Sequence, residues 1–277
     1  MERKSTLVTV YKPRRFCIVT LRDILAFICA AAVPIAITFY SSIMKKDEQI
    51  RLEELRALER NQTYFARQHQ LYDRFINTTY RLDKDEYLDD LKNPWPFANA
   101  YYRAAHRQWD TIRKADVLQF LKERQLIGRS NCSDDCGKKP INDIIRLLDL
   151  NFDYIRLMSQ TGRDQSLKMD CVAFEYISLN GALFSSVNLN GAYFDGGRMR
   201  DAKFEGSSLT CVTFDGTDLR GVDFGNSNLK DVNFLNMDLR GVRLTPEQLN
   251  RARFYNSTLP NGTRIGLPRQ SKFKCSI

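Results

Sequence analysis

Two histidines and seven cysteines are the residues of this 277-residue chain whose types could do chemistry. A histidine can act as a general base or a metal ligand, but neither His69 nor His106 has a nucleophile or second ligand at a recognisable spacing. Both read as members of helices, on the surface or in a core. Cys132-Ser-Asp-Asp-Cys136 could close a small disulfide loop. A CxxxC metal half-site would need a second pair, which the sequence does not supply. No Gly-rich phosphate loop, GxSxG or HExxH occurs, and Gly196-Gly197 falls inside a repeat. The expectation is a chain without catalytic, cofactor-binding or metal-binding residues, without a small-molecule substrate, and not an enzyme.

The element that positions most of the remaining residues is that repeat. Every fifth residue from 174 is apolar: Phe174, Leu179, Phe184, Leu189, Phe194, Met199, Phe204, Leu209, Phe214, Leu219, Phe224, Leu229, Phe234, Leu239 and Leu244. Two residues before each stands a mostly small or apolar one, such as Val172, Ala182, Val212 or Val232. Five steps of about 100° leave no stripe on an α-helix, and an odd period alternates faces on a straight strand. A spacing of two then three works if the chain bends after each pair. The bend should fall two residues after each central one, where Gly181, Gly191, Gly196, Asp201, Gly206, Gly216, Gly221, Asn226, Asp231, Asn236 and Gly241 stand. These types tolerate turns and positive φ. The prediction is a β-solenoid with five-residue sides.

Phe occupies alternate central positions, with Leu or Met between. A four-sided coil of twenty residues stacks Phe on Phe, whereas a three-sided coil stacks Phe on Leu. Like-on-like stacking selects the square section, with coils about 4.8 Å apart. Native packing density leaves no lumen in such a coil. Cys171 and Cys211 then lie two coils apart, about 9.6 Å, and are not expected to pair.

The motif, in runs such as "NGALFSSVNLNGAYF" and "GVDFGNSNLKDVNF", resembles the pentapeptide-repeat family over residues 169–259. The resemblance implies a right-handed quadrilateral β-helix and no particular activity. It also implies an alternative role, since some soluble members act as DNA mimics that inhibit DNA-processing enzymes. That role needs acidic outer faces, and residues 170–259 carry eleven acids against nine bases. No nucleic-acid partner is therefore expected.

Residues 24–44 contain no charge. Twenty-one residues suffice to span a bilayer as a helix, and Pro34 is tolerated there. This stretch reads as a signal anchor and makes the lipid bilayer a partner. Basic residues flank it on both sides: Arg3, Lys4, Lys12, Arg14, Arg15 and Arg22 before, Lys45, Lys46, Arg51, Arg56 and Arg60 after. The positive-inside count is nearly balanced. Five N-glycosylation sequons, at Asn61, Asn77, Asn131, Asn256 and Asn261, all follow the span. They place the N-terminus in the cytosol and the body in a lumen or outside the cell.

The remaining text is helical and then irregular. Residues 45–92 lack Gly and Pro and show loose helical periodicity. They read as a membrane-proximal stalk, either packed on its own domain or self-associating as a coiled coil. Asn93-Pro-Trp-Pro96 breaks it. Phe97–Ile127 reads as a helical collar closed by Gly128, covering the first coil, whose open end would expose strand edges. The layout expected is α+β: a basic head at 1–23, a transmembrane helix at 24–44, stalk and collar at 45–128, a loop and lead-in coil at 129–168 with an insertion near Ser159–Gln165, the β-helix at 169–259, and a polar tail at 260–277. Thr245-Pro-Glu-Gln248 should start a helical turn replacing one side. The function expected is a single-pass membrane protein that presents a rigid rod to an unidentified protein partner. The outward candidates are Lys203, Asp218, Asp223, Asn228 and Asp238; a sensor or enzyme in the helical region is the remaining alternative.

Overall fold

The computed structural model describes residues 20–84, 95–129, 143–158 and 166–266. Two compact units are present, one ending at Tyr64 and the other beginning at Phe65. Helix α1 (Leu21–Lys84) starts in the first and continues past Tyr64, without a break at Pro34 or in the charged stretch that follows. The apolar span and the stalk are therefore one helix, because no residue between Met44 and Lys84 interrupts the backbone hydrogen bonds. The apolar window has a mean hydropathy of 2.2, and none of it is buried.

In the second unit the chain coils into a four-sided solenoid. Its longest wall is a six-stranded sheet of β1 (Leu147–Leu148), β4 (Ala173–Glu175), β7 (Tyr193–Asp195), β9 (Thr213–Asp215), β10 (Asn233–Leu235) and β11 (Arg253–Tyr255) in that spatial order, paired in parallel. The strands β2 (Arg156–Met158), β5 (Leu183–Ser185) and β8 (Lys203–Glu205) form a second wall. A third joins β3 (Leu167–Lys168) to β6 (Val187–Asn188). The fourth consists of single bridges, Asn151 to Ser178 to Arg198 to Asp218. Phe174 pairs with Phe194, Phe194 with Phe214, and Phe214 with Phe234, so one coil takes twenty residues.

The side chains explain this register. The central residues Phe174, Leu179, Phe184, Leu189, Phe194, Met199, Phe204, Leu209, Phe214, Leu219, Phe224, Leu229, Phe234 and Leu239 are all no more than 1% exposed. Successive Phe rings on the Phe174 wall stack 5.0, 5.2, 5.5 and 5.3 Å apart, down to Phe254. On the opposite wall Phe184, Phe204 and Phe224 stack at 4.7 and 5.4 Å. Such aromatic pairs contribute about 0.5–1.5 kcal/mol each beyond area burial. The second inward position is polar in places, and the hydroxyls there have partners. Ser227 Oγ donates to Phe204 O at 2.7 Å and accepts from Ser207 N at 3.1 Å. Ser207 and Ser257 repeat this arrangement on their own coils, and Thr217 Oγ1 donates to Phe194 O.

The corners adopt left-handed backbone at Gly181, Gly191, Gly196, Asp201, Gly206, Gly216, Gly221, Asp231, Asn236 and Gly241. Asn226 departs from this expectation, because at that corner Gly225 takes the positive φ of 45° instead. Cys171, Tyr176, Ser186, Cys211 and Asn256 also turn corners with positive φ. Tyr176 packs its ring against the place where a Cβ on Gly196 would stand.

The solenoid begins before residue 169. Leu147 aligns with Phe174, and Leu157 with Phe184, each 27 residues apart, while Leu167 aligns with Val187 at 20. The difference, 27 − 20, places seven extra residues after Met158, at the insertion expected there; residues 159–165 lie outside the described residues. Ile155 stands level with Ala182, and the inward residue of that side is Leu157.

Both ends of the rod carry helices. The expected single helix over 97–127 is two, α2 (Trp95–His106) and α3 (Thr111–Glu123). Asp110 starts the second by accepting Arg113 N at 2.8 Å, and its own N–H donates to Gln68 of α1 at 3.0 Å. Gly128 is not a helix cap: α3 ends at Glu123 with Arg124 as its C-cap, and Gly128 turns four residues after that cap. Phe75, Tyr102 and Trp109 form the collar's buried aromatic cluster, whereas Ile112 is exposed. At the far end Thr245 and Gln248 form a capping box on α4 (Pro246–Arg251). Gln248 is the residue it buries, with Nε2 donating to Gly225 O and Ser227 O, both at 3.1 Å. The tail expected from residue 260 begins as a hairpin, with β12 (Ser257–Thr258) antiparallel to β13 (Arg264–Ile265).

Candidate interaction faces

The collar meets the first coil through polar side chains aimed at backbone carbonyls. His106 Nε2 donates to Asn151 O at 2.9 Å, and Lys114 Nζ donates to the same oxygen at 2.8 Å. Asn99 spans the junction, donating to Ile144 O at 2.7 Å and accepting from Arg146 N at 2.7 Å. Lys122 Nζ reaches Gly128 O and Asp170 O. His106 is 2% exposed and packs edge-on against Phe152. Burial first, then the Lys114 ammonium, pushes its pKa down to about 4, against the opposing pull of the Asn151 bond. It is neutral at physiological pH and holds a structural bond. His69 lies exposed on α1, 3.3 Å from Asp73. The two histidines are thus not brought together, and among the described residues no cluster of three metal-ligating side chains exists.

The outward candidates Lys203, Asp223, Asn228 and Asp238 are exposed and Asp218 is half-buried. They sit on different walls. The Leu179 wall is the most strongly patterned: Arg200, Arg220 and Arg240 recur at one position, with Asp218 and Asp238 two residues before the latter two. Arg200 Nε and Arg220 Nη2 both bond Asp218 Oδ2, at 2.6 and 2.8 Å. Arg240 clasps Asp238 and holds its carboxyl down to about 2 by hydrogen bonding. An open groove of about 670 Å³ lies over these groups. A smaller apolar cleft of about 160 Å³ lies between α1 and α3, lined by Ile76, Tyr80, Phe120 and Leu126. Arg200, Arg220 and Arg240 do not stand out in the sequence, because their twenty-residue spacing makes them neighbours only once the coil register is known.

Asn61 and Asn77 are exposed on α1, Asn256 is exposed at a corner, and Asn261 is exposed in the turn before β13. Asn131, Cys132 and Cys136 lie outside the described residues, as do residues 1–19 of the basic head and 267–277 of the tail. Cys29 is a free thiol on the apolar span. Cys171 and Cys211 are both disulfide-bonded. They occupy one corner column with Gly191 between them, and about 9.6 Å separates alternate coils. That exceeds the Cα separation a disulfide spans, so each sulfur takes another partner.

The pentapeptide-repeat model, with eight copies, matches residues 169–206 and 207–245. Residues 169–245 are thus a run of pentapeptide repeats, and the likeness to that family is confined to this β-helical part of the chain. Among solved structures, it is similar to HetL of the cyanobacterium Nostoc, a pentapeptide repeat protein involved in heterocyst differentiation regulation, at 18% identity and a TM-score of 0.33. The match covers 44% of this chain and 62% of HetL, so the chain spans less than two thirds of that protein's length. A pentapeptide repeat protein of the Arabidopsis thaliana thylakoid lumen matches at 27% identity and a TM-score of 0.28, over 37% of this chain and 69% of its own. QnrB1, a plasmid-mediated fluoroquinolone resistance protein, matches at 12% identity and 0.20, over 42% and 72%. No curated protein matches the chain.

Proposed function

We propose that this protein is a single-pass, membrane-anchored, non-enzymatic scaffold whose β-helix offers rigid outer faces to a protein partner. The observation that carries this reading is the Leu179 wall, where an Arg–Asp lattice is mounted on a core with central residues no more than 1% exposed. Solenoid walls of this kind are extended binding surfaces. The mixed charge of the lattice suits a protein with complementary rows of charge better than it suits a nucleic-acid processing enzyme.

The unburied apolar start of α1 supports anchoring in a bilayer. The sequons after the span and the two disulfide-bonded cysteines support a cytosolic N-terminus with the solenoid in an oxidising compartment. They also support use of the exposed sequons as glycosylation sites. Beyond the span, α1 exposes Ile50, Leu52, Leu55 and Leu58, which supports self-association through the stalk as a parallel pair.

Crosslinking in intact membranes, followed by affinity capture through an N-terminal tag, tests the scaffold reading. Capture of a defined protein from wild type, lost when Arg200, Arg220 and Arg240 are changed together to Glu, is the expected result. Equal capture by the variant would overturn the assignment of this wall.

A further inference from the structure

Tyr80 is an aromatic side chain that the fold leaves 56% exposed. On α1 it stands three residues from Asn77 and four from Ile76, so both neighbour it on the helix surface. Facing them are Phe120 of α3 and, just past that helix, Arg124 and Leu126, which complete the cleft of about 160 Å³. Phe120 is half-buried and meets the Phe75 ring edge-on at 6.5 Å. The Arg124 guanidinium lies 5.9 Å from the Phe120 centroid and has no ion-pair partner among the described residues. The Tyr80 ring has no aromatic partner among them.

Small-molecule sites usually enclose about 300–1,000 Å³. This cleft is smaller and has room for a single ring. Its walls are apolar, and its exposed polar members are Asn77 and Arg124. Asn77 heads the sequon Asn77-Thr78-Thr79. A pyranose has a face of polarised C–H groups, which stacks on the electron-rich face of an aromatic ring. It also has a rim of oxygens, which accept from a guanidinium. Thr79 of the sequon lines the same cleft and is only 8% exposed. A transferase can therefore read this sequon only before α1 packs on α3, and the sugar is already attached while the cleft forms.

We infer that Asn77 carries an N-linked oligosaccharide whose first N-acetylglucosamine occupies this cleft, stacked on Tyr80 and Phe120 with its polar rim toward Arg124. In the transfer the Asn77 amide nitrogen bonds to C1 of the sugar of a lipid-linked pyrophosphate donor. The C1–O bond breaks, the lipid pyrophosphate leaves with its electron pair, and the amide nitrogen gives up one proton to a base. The inference rests on the proposed placement of the solenoid in a lumen or outside the cell. It makes the cleft a seat for the protein's own modification, separate from the Arg–Asp wall.

Glycopeptide mapping of full-length chain from the secretory pathway of cultured eukaryotic cells should find Asn77 occupied. Occupancy of any other sequon with Asn77 bare would overturn the inference and leave the compartment reading standing. Bare asparagine at every sequon would overturn both. Seating in the cleft is read by hydroxyl-radical footprinting. Wild type trimmed by an endoglycosidase to one sugar should oxidise at Tyr80 several-fold more slowly than Asn77→Gln, an exposed position whose change leaves the packing intact. Tyr154, 71% exposed and distant in the sequence, serves as the unchanged reference. Equal rates at Tyr80 with Asn77 occupied would show the sugar pointing into solvent and overturn the seating.

Discussion

His106 Nε2 and the carbonyl oxygen of Asn151 lie 2.9 Å apart, joining the collar to the first coil through an imidazole that burial and the neighbouring Lys114 ammonium keep neutral. The pKa of this histidine is pushed down to about 4 in the fold, against about 6.5 in the unfolded chain. Between those values the unfolded chain binds a proton that the folded one does not. The stabilisation is therefore complete above pH 6.5 and lost as pH falls toward 4, by up to about 3 kcal/mol. Melting temperature measured from pH 7 to 4.5 should fall more steeply for wild type than for His106→Gln. Parallel curves would show that other groups set the acid sensitivity.

Phe204 is stacked from both sides, by Phe184 at 4.7 Å and Phe224 at 5.4 Å. Phe204→Ala should cost about 3–5 kcal/mol, since the stack cannot collapse into the space. Phe254→Ala, at the half-buried end of its column, should cost clearly less. Chemical denaturation of the two variants checks the order.

Gly196 and Gly216 share a left-handed backbone, at φ of 61° and 60°. A Cβ at Gly196 would collide with the Tyr176 ring, while at Gly216 it meets open space. Gly216→Ala should cost about 1–2 kcal/mol from backbone strain alone, and Gly196→Ala more. Adding Tyr176→Ala to Gly196→Ala should recover part of the excess. A thermal-melt double-mutant cycle reads the coupling, and its absence would mean that the ring moves aside freely.

Ser227 is buried between coils, donating to Phe204 O and accepting from Ser207 N. Ser227→Ala leaves both backbone groups without that partner and should cost about 1–3 kcal/mol. The larger Ser227→Val should not rescue it, although Val occupies the same inward position at Val187. Stability of the pair by urea titration decides between a hydrogen-bonding role and a packing role.

What could be read from sequence follows from how local each signal is. The solenoid wall was legible because Phe and Leu hold phase from 174 to 244, and the capping box at Thr245 and Gln248 because its four residues are adjacent. The lead-in coil was obscured because seven extra residues put Leu157 out of phase with Met169. The helix break at Asp110 was missed although Asp-Thr is a recognisable N-cap signal, since the apolar residues on both sides read as one run. The burial of Tyr193 and Asn233, outward residues of their wall, has no sequence signature.

The vertical register also restricts how this protein can change in length. Phe lies above Phe only because twenty residues separate them, so removing or adding a whole coil leaves every column intact. A deletion of five would set a leucine beneath each phenylalanine and rotate the Arg–Asp lattice onto the next wall. Insertions are free of this penalty where the columns resume in register after them, as they do between Met158 and Leu167. Rods of this design therefore lengthen in quantised steps, and natural variation in size should collect at the corners.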